Sequence, residues 1–127
     1  MMWPVVFINC SLFPFLDMII RGRKVYETRT RNMLRALVGQ RVMLAETGRG
    51  RPVVRCTAVV GAPVVVRSRK EWNRYRRSAC IRAGSPFDWM PWTKVKYLYP
   101  LSDVVACSPF TPPEGVRHGR VWMEYNK

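Results

Sequence analysis

The sequence predicts an α+β domain in which short strands form a small barrel or half-barrel that carries helices. Runs of β-branched and aromatic residues recur along the chain, whereas apolar residues at helical spacing occur once near the start and once midway. With 127 residues, of which 48% are hydrophobic, the chain can bury a core without disulfides or metal. No repeat or boundary divides it, and we expect a single domain over residues 1–127.

The first thirty residues predict a strand, a helix and a second strand. Residues 5–8 form an apolar run typical of a buried strand. Ser11 is expected to cap a helix whose first turn contains Pro14 and whose apolar residues form one stripe. Gly22 then provides a left-handed helix end. Alternating β-branched and charged residues predict a strand over 24–30.

The rest of the chain predicts mainly strands, with one further helix. In order, we expect a short turn or helix over 32–37, strands over 41–45 and 52–66, a helix over 68–82, a loop over 84–92, and closing strands over 95–99, 103–107 and 121–125. The strand over 52–66 is expected to bend at Gly61. Ser68 and Glu71 have the spacing of a capping box at the start of the helix.

The charge balance favours a polyanionic partner. Lys and Arg number 22 against 8 Asp and Glu, a net charge of +14. Such an excess disfavours a compact state, and solubility alone is better served by acidic residues. Arginine dominates two basic clusters, over 21–55 and 67–82, and its planar fork suits phosphate oxygens and base stacking. We therefore expect RNA or a nucleotide-like ligand as the partner.

Cysteine and histidine usage argues against a metal site, and no cofactor is expected. Cys10, Cys56, Cys80 and Cys107 are far apart, and His118 is the one histidine. The cysteines are typical of free thiols in a reducing cytosol, with two long-range disulfides as the alternative. The apolar run over 3–20 is broken by prolines and polar residues and follows no basic residue. It predicts neither a signal peptide nor a membrane span, and a cytoplasmic location is expected.

The segment most suggestive of chemistry contains Gly22, Lys24, Glu27 and Arg29. The glycine permits a backbone reversal between helix and strand. The lysine can then reach into a cleft to bind an anion or pair with Glu27, while Arg29 supplies donors for a phosphate or a base edge. An alternating strand would place Lys24 and Glu27 on opposite faces, so their cooperation requires Lys24 to lie in the turn. The alternative is a strand edge with solvated charges.

These residues resemble the GxKxxExR signature of ASCH (activating signal cointegrator-1 homology) domains, relatives of the PUA RNA-binding fold. The resemblance is carried by residues 11–31, together with the strand–helix–Gly–strand order and the late aromatic strand Val121-Trp122-Met123-Glu124. It implies a small PUA-like β-barrel with flanking helices and a cleft, lined by the motif, that binds RNA, a nucleotide or a nucleoside.

Some similar proteins are enzymes, so the resemblance leaves activity open. One branch resembles N4-acetylcytidine amidohydrolases, which use a lysine, a threonine three residues later and a glutamate from a later helix. Lys24 matches the lysine, but Glu27 stands at the threonine position and Thr28 is expected to point the other way. Glu71 is the candidate later glutamate. A second, ribonuclease-like branch would give His118 and the arginines a role.

Three functions therefore remain open. The first is an RNA- or nucleotide-binding module without catalysis, with nucleic-acid contacts from Arg23, Lys24, Arg29, Arg31, Arg74 and Arg77. The second is a hydrolase acting on RNA or a modified nucleoside, with Lys24 and Glu27 as the acid–base pair. The third is a protein–protein adaptor that docks a partner on Trp89 and Trp92. His118 is otherwise interpreted as a plain surface residue.

Overall fold

The structure, a computed structural model, describes residues 2–126. Its strands are β1 (Met2–Asn9), β2 (Tyr26–Arg29), β3 (Arg41–Thr47), β4 (Val53–Val60), β5 (Val64–Val66), β6 (Lys96–Phe110), β7 (Val116–His118) and β8 (Trp122–Asn126). Its helices are α1 (Phe15–Ile20) and α2 (Arg69–Tyr75), with a 3₁₀ turn at Arg35–Leu37. None of the helices in this part of the chain is long and apolar enough to cross a membrane.

The strands form one curled sheet in the order β2-β6-β4-β3-β1-β8-β7, with β5 also paired to β6. The curl follows from β6, whose first residues pair with β2 and β5 and whose later residues pair with β4. All neighbours are antiparallel except β1 and β3. The predicted α+β fold, a small half-barrel with flanking helices, is confirmed.

The core lies on both faces of β1, which explains the continuous apolar run over 5–8. Val6 and Ile8 join the larger cluster between the sheet and the helices, whereas Val5 and Phe7 join a smaller cluster on the opposite face. A strand buried on both faces loses the alternation of a half-buried strand. The larger cluster also includes Trp72 of α2, which is fully buried. Helix α1 and helix α2 are thereby held against the same face of the sheet.

Helix α1 is shorter than the sequence predicted. It begins at Phe15 rather than near Ser11, and no side chain caps it. Pro14 opposes the earlier start, because a proline disfavours helical geometry at the residue before it. The side chain of Asn9 accepts a hydrogen bond from Ser11 N at 2.9 Å in the preceding turn. The prediction that Ser11 caps the helix is therefore wrong.

Helix α2 and the closing strands also depart from the predicted bounds. The capping box is present, since Ser68 Oγ accepts from Glu71 N at 3.2 Å, but α2 ends at Tyr75 rather than at residue 82. The strands expected over 95–99 and 103–107 are one continuous strand, β6. Pro100 does not break it, and the chain instead adapts at Asp103, whose φ is 50°. Conversely, the stretch over 52–66 forms two strands rather than one bent strand.

Candidate functional site

The turn after α1 places Lys24 outside the ladder of β2, as its proposed cooperation with Glu27 requires. Gly22 has a φ of 75° and donates to Ile19 O, while Arg23 N donates to Met18 O. This pair of bonds is a Schellman motif, which ends the helix with a left-handed residue. Lys24 N also donates to Met18 O, at 3.1 Å, so the turn continues through Lys24, and β2 covers Tyr26–Arg29 rather than the predicted 24–30.

The side chain of Lys24 is buried, with 2% of the residue exposed. Its Nζ donates to Ala79 O at 2.6 Å and lies 4.7 Å from the centre of the Phe15 ring. Burial lowers the pKa of Lys24, and the nearby Glu27 carboxylate acts in the opposite direction. An ammonium group has three donors, and the bond to Ala79 uses one of them.

Glu27 and Arg29 lie on the same side of β2, because residues two apart in a strand share a face. Glu27 Oε1 accepts from Thr28 N at 3.1 Å and lies 3.7 Å from Arg29 Nε. The guanidinium of Arg29 donates from one terminal nitrogen to Phe7 O at 2.9 Å. Glu27 Oε2 and Arg29 Nε are buried and have no hydrogen-bond partner among residues 2–126. The site thus holds one unsatisfied acceptor and one unsatisfied donor side by side.

These side chains line a small cavity with a volume of about 80 Å³, which we call the motif cavity. Its walls are Ile8, Asn9, Phe15, Lys24, Glu27, Thr28, Arg29, Ile81 and Phe87. A middle hollow of about 270 Å³ shares Thr28, Arg29 and Phe87 with it. The alternative of solvated charges on a strand edge is therefore wrong for Lys24 and Glu27. Thr28 also borders the cavity, where its backbone N contacts Glu27 Oε1.

Sequence reasoning did not connect several wall residues with the motif. Asn9 comes from the end of β1, and its Oδ1 would be only 2.6 Å from a Cβ built at Gly48. The approach of these two segments therefore requires glycine at position 48, whose φ is 90°. Phe15 and Phe87 pack edge to face, with ring centroids 5.3 Å apart. The two rings give the cavity an apolar wall beside its charged one.

Asp88 fixes the loop that carries Phe87. Its carboxylate accepts from Trp72 Nε1 at 2.7 Å and from the backbone N of Gly84 and of Trp89, both at 2.8 Å. Burial alone would raise the pKa of Asp88, but these hydrogen bonds outweigh it and lower the pKa. The loop is thus tied to the core by a charged group with several partners, which holds the cavity wall in place.

A second buried lysine, Lys96, lines the middle hollow. Its Nζ donates to Phe87 O at 2.7 Å and lies 4.6 Å from the centre of the Trp72 ring. Burial lowers the pKa of Lys96 to about 8; the carboxylate of Asp88 opposes this shift and the charge of Lys24 adds to it. The sequence offered no signal for Lys96, since a lysine at the start of a strand normally lies at the surface.

The other predicted nucleic-acid contacts lie apart from the motif cavity. Arg23 is exposed in the turn after α1, and Arg74 and Arg77 are exposed on and just after α2. Arg31 is exposed and lines an outer hollow of about 440 Å³, which meets the middle hollow at Thr30. Of the six predicted residues, the structure brings Lys24 and Arg29 into the cavity, with Arg31 further along the same surface.

Two candidate catalytic residues have local structural partners instead. Glu71 Oε1 lies 3.4 Å from both Ser68 Oγ and Arg67 N in the capping box, and Glu71 does not line the motif cavity. The sequence suggested no partner for His118, but the structure gives it two. Its ring stacks on Trp122 at 3.9 Å, and Nε2 lies 2.9 Å from a Glu124 carboxylate oxygen. Neither residue has the position that a role in the cavity requires.

Two further sequence features can be placed. All four cysteines are free thiols, with Cys10 and Cys56 buried and Cys80 and Cys107 partly exposed. Among residues 2–126, no three His, Cys, Asp or Glu side chains are grouped so that they could hold a metal ion.

Comparison with known proteins finds likeness at the level of structure. No family model matches the sequence, and no curated protein matches it. Solved structures of ASCH from Zymomonas mobilis do match. One mutant form has 25% identity and a TM-score of 0.69, covering 85% of this chain and 72% of that one. The unmutated protein has 21% identity and a TM-score of 0.67 with the same coverage. A second mutant has 22% identity, a TM-score of 0.69, and coverages of 85% and 74%.

Proposed function

Because the chain has the fold of an ASCH domain, we propose that it binds RNA by inserting the edge of one base into the motif cavity, with the rest of that nucleotide in the adjoining middle hollow. The fold supports the location of the site, since the cavity is built from the residues of the GxKxxExR motif. The nature of the ligand is inferred from the chemistry of the cavity and from the charge of the whole chain.

The observation that carries this proposal is the buried, unpartnered Oε2 of Glu27. An unsatisfied buried polar group costs about 1–3 kcal/mol, and more when it is charged. A ligand that donates an N–H to this oxygen would remove that cost. Arg29 Nε is an unsatisfied donor at 3.7 Å from the other carboxylate oxygen, so it calls for an acceptor on the same ligand. The edge of a nucleobase presents donors and acceptors next to each other.

The apolar wall and the long-range charge support the same ligand. Phe15 and Phe87 offer ring surface to a base, and aromatic contacts of this kind stabilise single-stranded nucleic acids. The net charge of +14 attracts a phosphate backbone irrespective of sequence. A donor beside an acceptor is found on the edge of every base, such as the amino group and N3 of cytosine or N3–H and O4 of uracil, so each base can satisfy a carboxylate adjacent to a guanidinium.

Replacing Glu27 with glutamine tests the proposal. Glu27→Gln keeps the size of the side chain and the acceptor for Thr28 N, but it removes the charged acceptor. A hydrogen bond to a charged group contributes about 1.5–3 kcal/mol, so affinity for cytidine or adenosine monophosphate should fall about 10- to 100-fold. Calorimetry with the four ribonucleoside monophosphates would measure this.

A charge-matched control makes the result unambiguous. Glu114→Gln removes the same charge from an exposed position that does not line the motif cavity. Both variants become more positive, so non-specific electrostatics would strengthen nucleotide binding in both. A loss confined to Glu27→Gln supports the cavity as the binding site. Equal affinity in wild type and Glu27→Gln would contradict the proposal.

The second candidate function is hydrolysis, favoured by the lowered pKa of Lys24 beside Glu27. A buried amine with a lowered pKa can transfer protons nearer neutral pH, and an adjacent carboxylate can assist. The position of Glu71 in the capping box weighs against the N4-acetylcytidine amidohydrolase version. The test is turnover of labelled RNA and of N4-acetylcytidine by wild type and Lys24→Met. Turnover that Lys24→Met abolishes, with folding intact, would favour the enzyme over the binding module.

A further inference from the structure

The strongest unexplained surface feature is Trp92, which is 76% exposed, the highest value among the large hydrophobic residues of the described chain. The turn that carries it is well defined. Thr93 N donates to Met90 O at 2.9 Å, and Thr93 Oγ1 accepts from Met90 N at 2.9 Å. Pro91 occupies the position of such a turn that favours proline. The indole is therefore exposed to solvent on a hydrogen-bonded turn.

Trp92 lies at the far end of a continuous surface that begins at the motif cavity. The motif cavity and the middle hollow share Thr28, Arg29 and Phe87, and the middle and outer hollows share Thr30. The backbone of residues 28–31 runs along this surface. Because an extended residue spans at most about 3.6 Å, the outer hollow is only about 10 Å of backbone away from the motif.

The charges along this surface are nearly all positive. Lys24 and Arg29 line the motif cavity, Lys96 lines the middle hollow, and Arg31 and Lys94 line the outer hollow beside Trp92. Glu27 is the one carboxylate among the residues that line the three hollows. A row of cations that ends at an exposed aromatic ring is suited to a chain of phosphates whose bases can stack.

We propose that Trp92 is the stacking platform for a base that flanks the nucleotide in the motif cavity, with Arg31 and Lys94 contacting its phosphate. The ligand class is single-stranded RNA of a few nucleotides, since only an unpaired base can place its face on the indole. This inference rests on the proposed function and extends it from one nucleotide to a strand. A protein partner for Trp92 would need neither the continuity with the cavity nor the row of cations.

The test compares two ligands with three variants. The ligands are cytidine monophosphate and a single-stranded RNA of about six nucleotides, and the variants are Trp92→Ala, Trp92→Phe and Val116→Ala. Base–aromatic stacking predicts about 5- to 150-fold weaker binding of the RNA by Trp92→Ala, with cytidine monophosphate unaffected. Trp92→Phe should retain most of the RNA affinity. Val116, 59% exposed and outside these hollows, should tolerate alanine with no effect.

Tryptophan fluorescence supplies an independent signal from the same samples. RNA should quench the emission of wild type more than that of Trp92→Phe, because the exposed indole is the one that stacks. Thermal unfolding should show unchanged stability for each variant, since the side chain is mostly exposed.

Each outcome bears on the proposal. Unchanged RNA affinity in Trp92→Ala would contradict the stacking role of Trp92 but not the proposed function. The same conclusion follows if Trp92→Ala no longer binds a protein partner and still binds RNA with wild-type affinity. Equal loss of RNA and cytidine monophosphate also contradicts the stacking role, because Trp92 would then act on the cavity itself. If wild type binds neither cytidine monophosphate nor the RNA, the proposed function and the stacking role of Trp92 are both refuted.

Discussion

Lys96 makes the stability of this protein depend on pH in a way that can be calculated. Its pKa is about 8 in the folded chain against an ordinary 10.5, because the ammonium is buried. The difference of 2.5 units corresponds to roughly 3 kcal/mol that charging Lys96 costs in the folded state. Below about pH 8 both states are protonated and the cost is fully present. Between about pH 8 and 10.5 the unfolded chain binds more protons, so stability rises with pH.

The substitution Lys96→Met isolates this contribution. Lys24, whose pKa is also lowered, and Cys56, whose pKa is raised to about 11, are present in both proteins. Subtracting the two unfolding free energies cancels Cys56 and leaves, of Lys24, only its repulsion of Lys96, which is part of the contribution being measured. The advantage of Lys96→Met over wild type should shrink by about 2 kcal/mol between about pH 7 and pH 10.

Denaturant unfolding at a series of pH values provides the measurement. Loss of the hydrogen bond to Phe87 O and of the contact with Trp72 adds a constant offset, and this does not affect the slope. Lys94→Met is the matched control, since Lys94 is exposed and its removal should give a flat difference. A flat difference for Lys96→Met as well would refute the reasoning that burial, rather than local contacts, governs this lysine.

Three further predictions follow from the walls of the site. Gly48→Ala should lower stability by about 1–2 kcal/mol and weaken nucleotide binding, because φ is 90° and a Cβ would clash with Asn9. Scanning calorimetry measures the stability, and titration calorimetry measures the binding. Asp88→Ala should cost about 1–3 kcal/mol in denaturant unfolding, since it leaves buried donors unpaired. Arg74→Ala combined with Arg77→Ala should reduce the salt dependence of RNA binding while leaving base preference unchanged in filter-binding titrations.

The sequence indicated how the motif could converge, because the arrangement depends on local rules, although the predicted strand over 24–30 would have placed Lys24 and Glu27 on opposite faces. Gly22 ends α1 in a left-handed conformation, and this places Lys24 before the strand rather than within it. Glu27 and Arg29 then share a face because strand side chains alternate. These rules act over a few residues, and no distant part of the chain overrides them here.

The features that sequence reasoning missed depend on contacts between distant segments. Lys96 is buried because its Nζ finds Phe87 O and the face of Trp72, neither of which adjacent residues reveal. The 15-residue β6 passes through Pro100 because it pairs with β2 and β5 along its first part and with β4 along its second. In both cases tertiary pairing decides against the local preference.

Chemical-shift mapping of backbone amides during titration with cytidine monophosphate tests the central claim most directly. The account predicts that the largest changes fall on the walls of the motif cavity, at Thr28, Arg29, Ile81 and Phe87. Changes confined to the exposed arginines of α2, with the cavity walls unaffected, would contradict it.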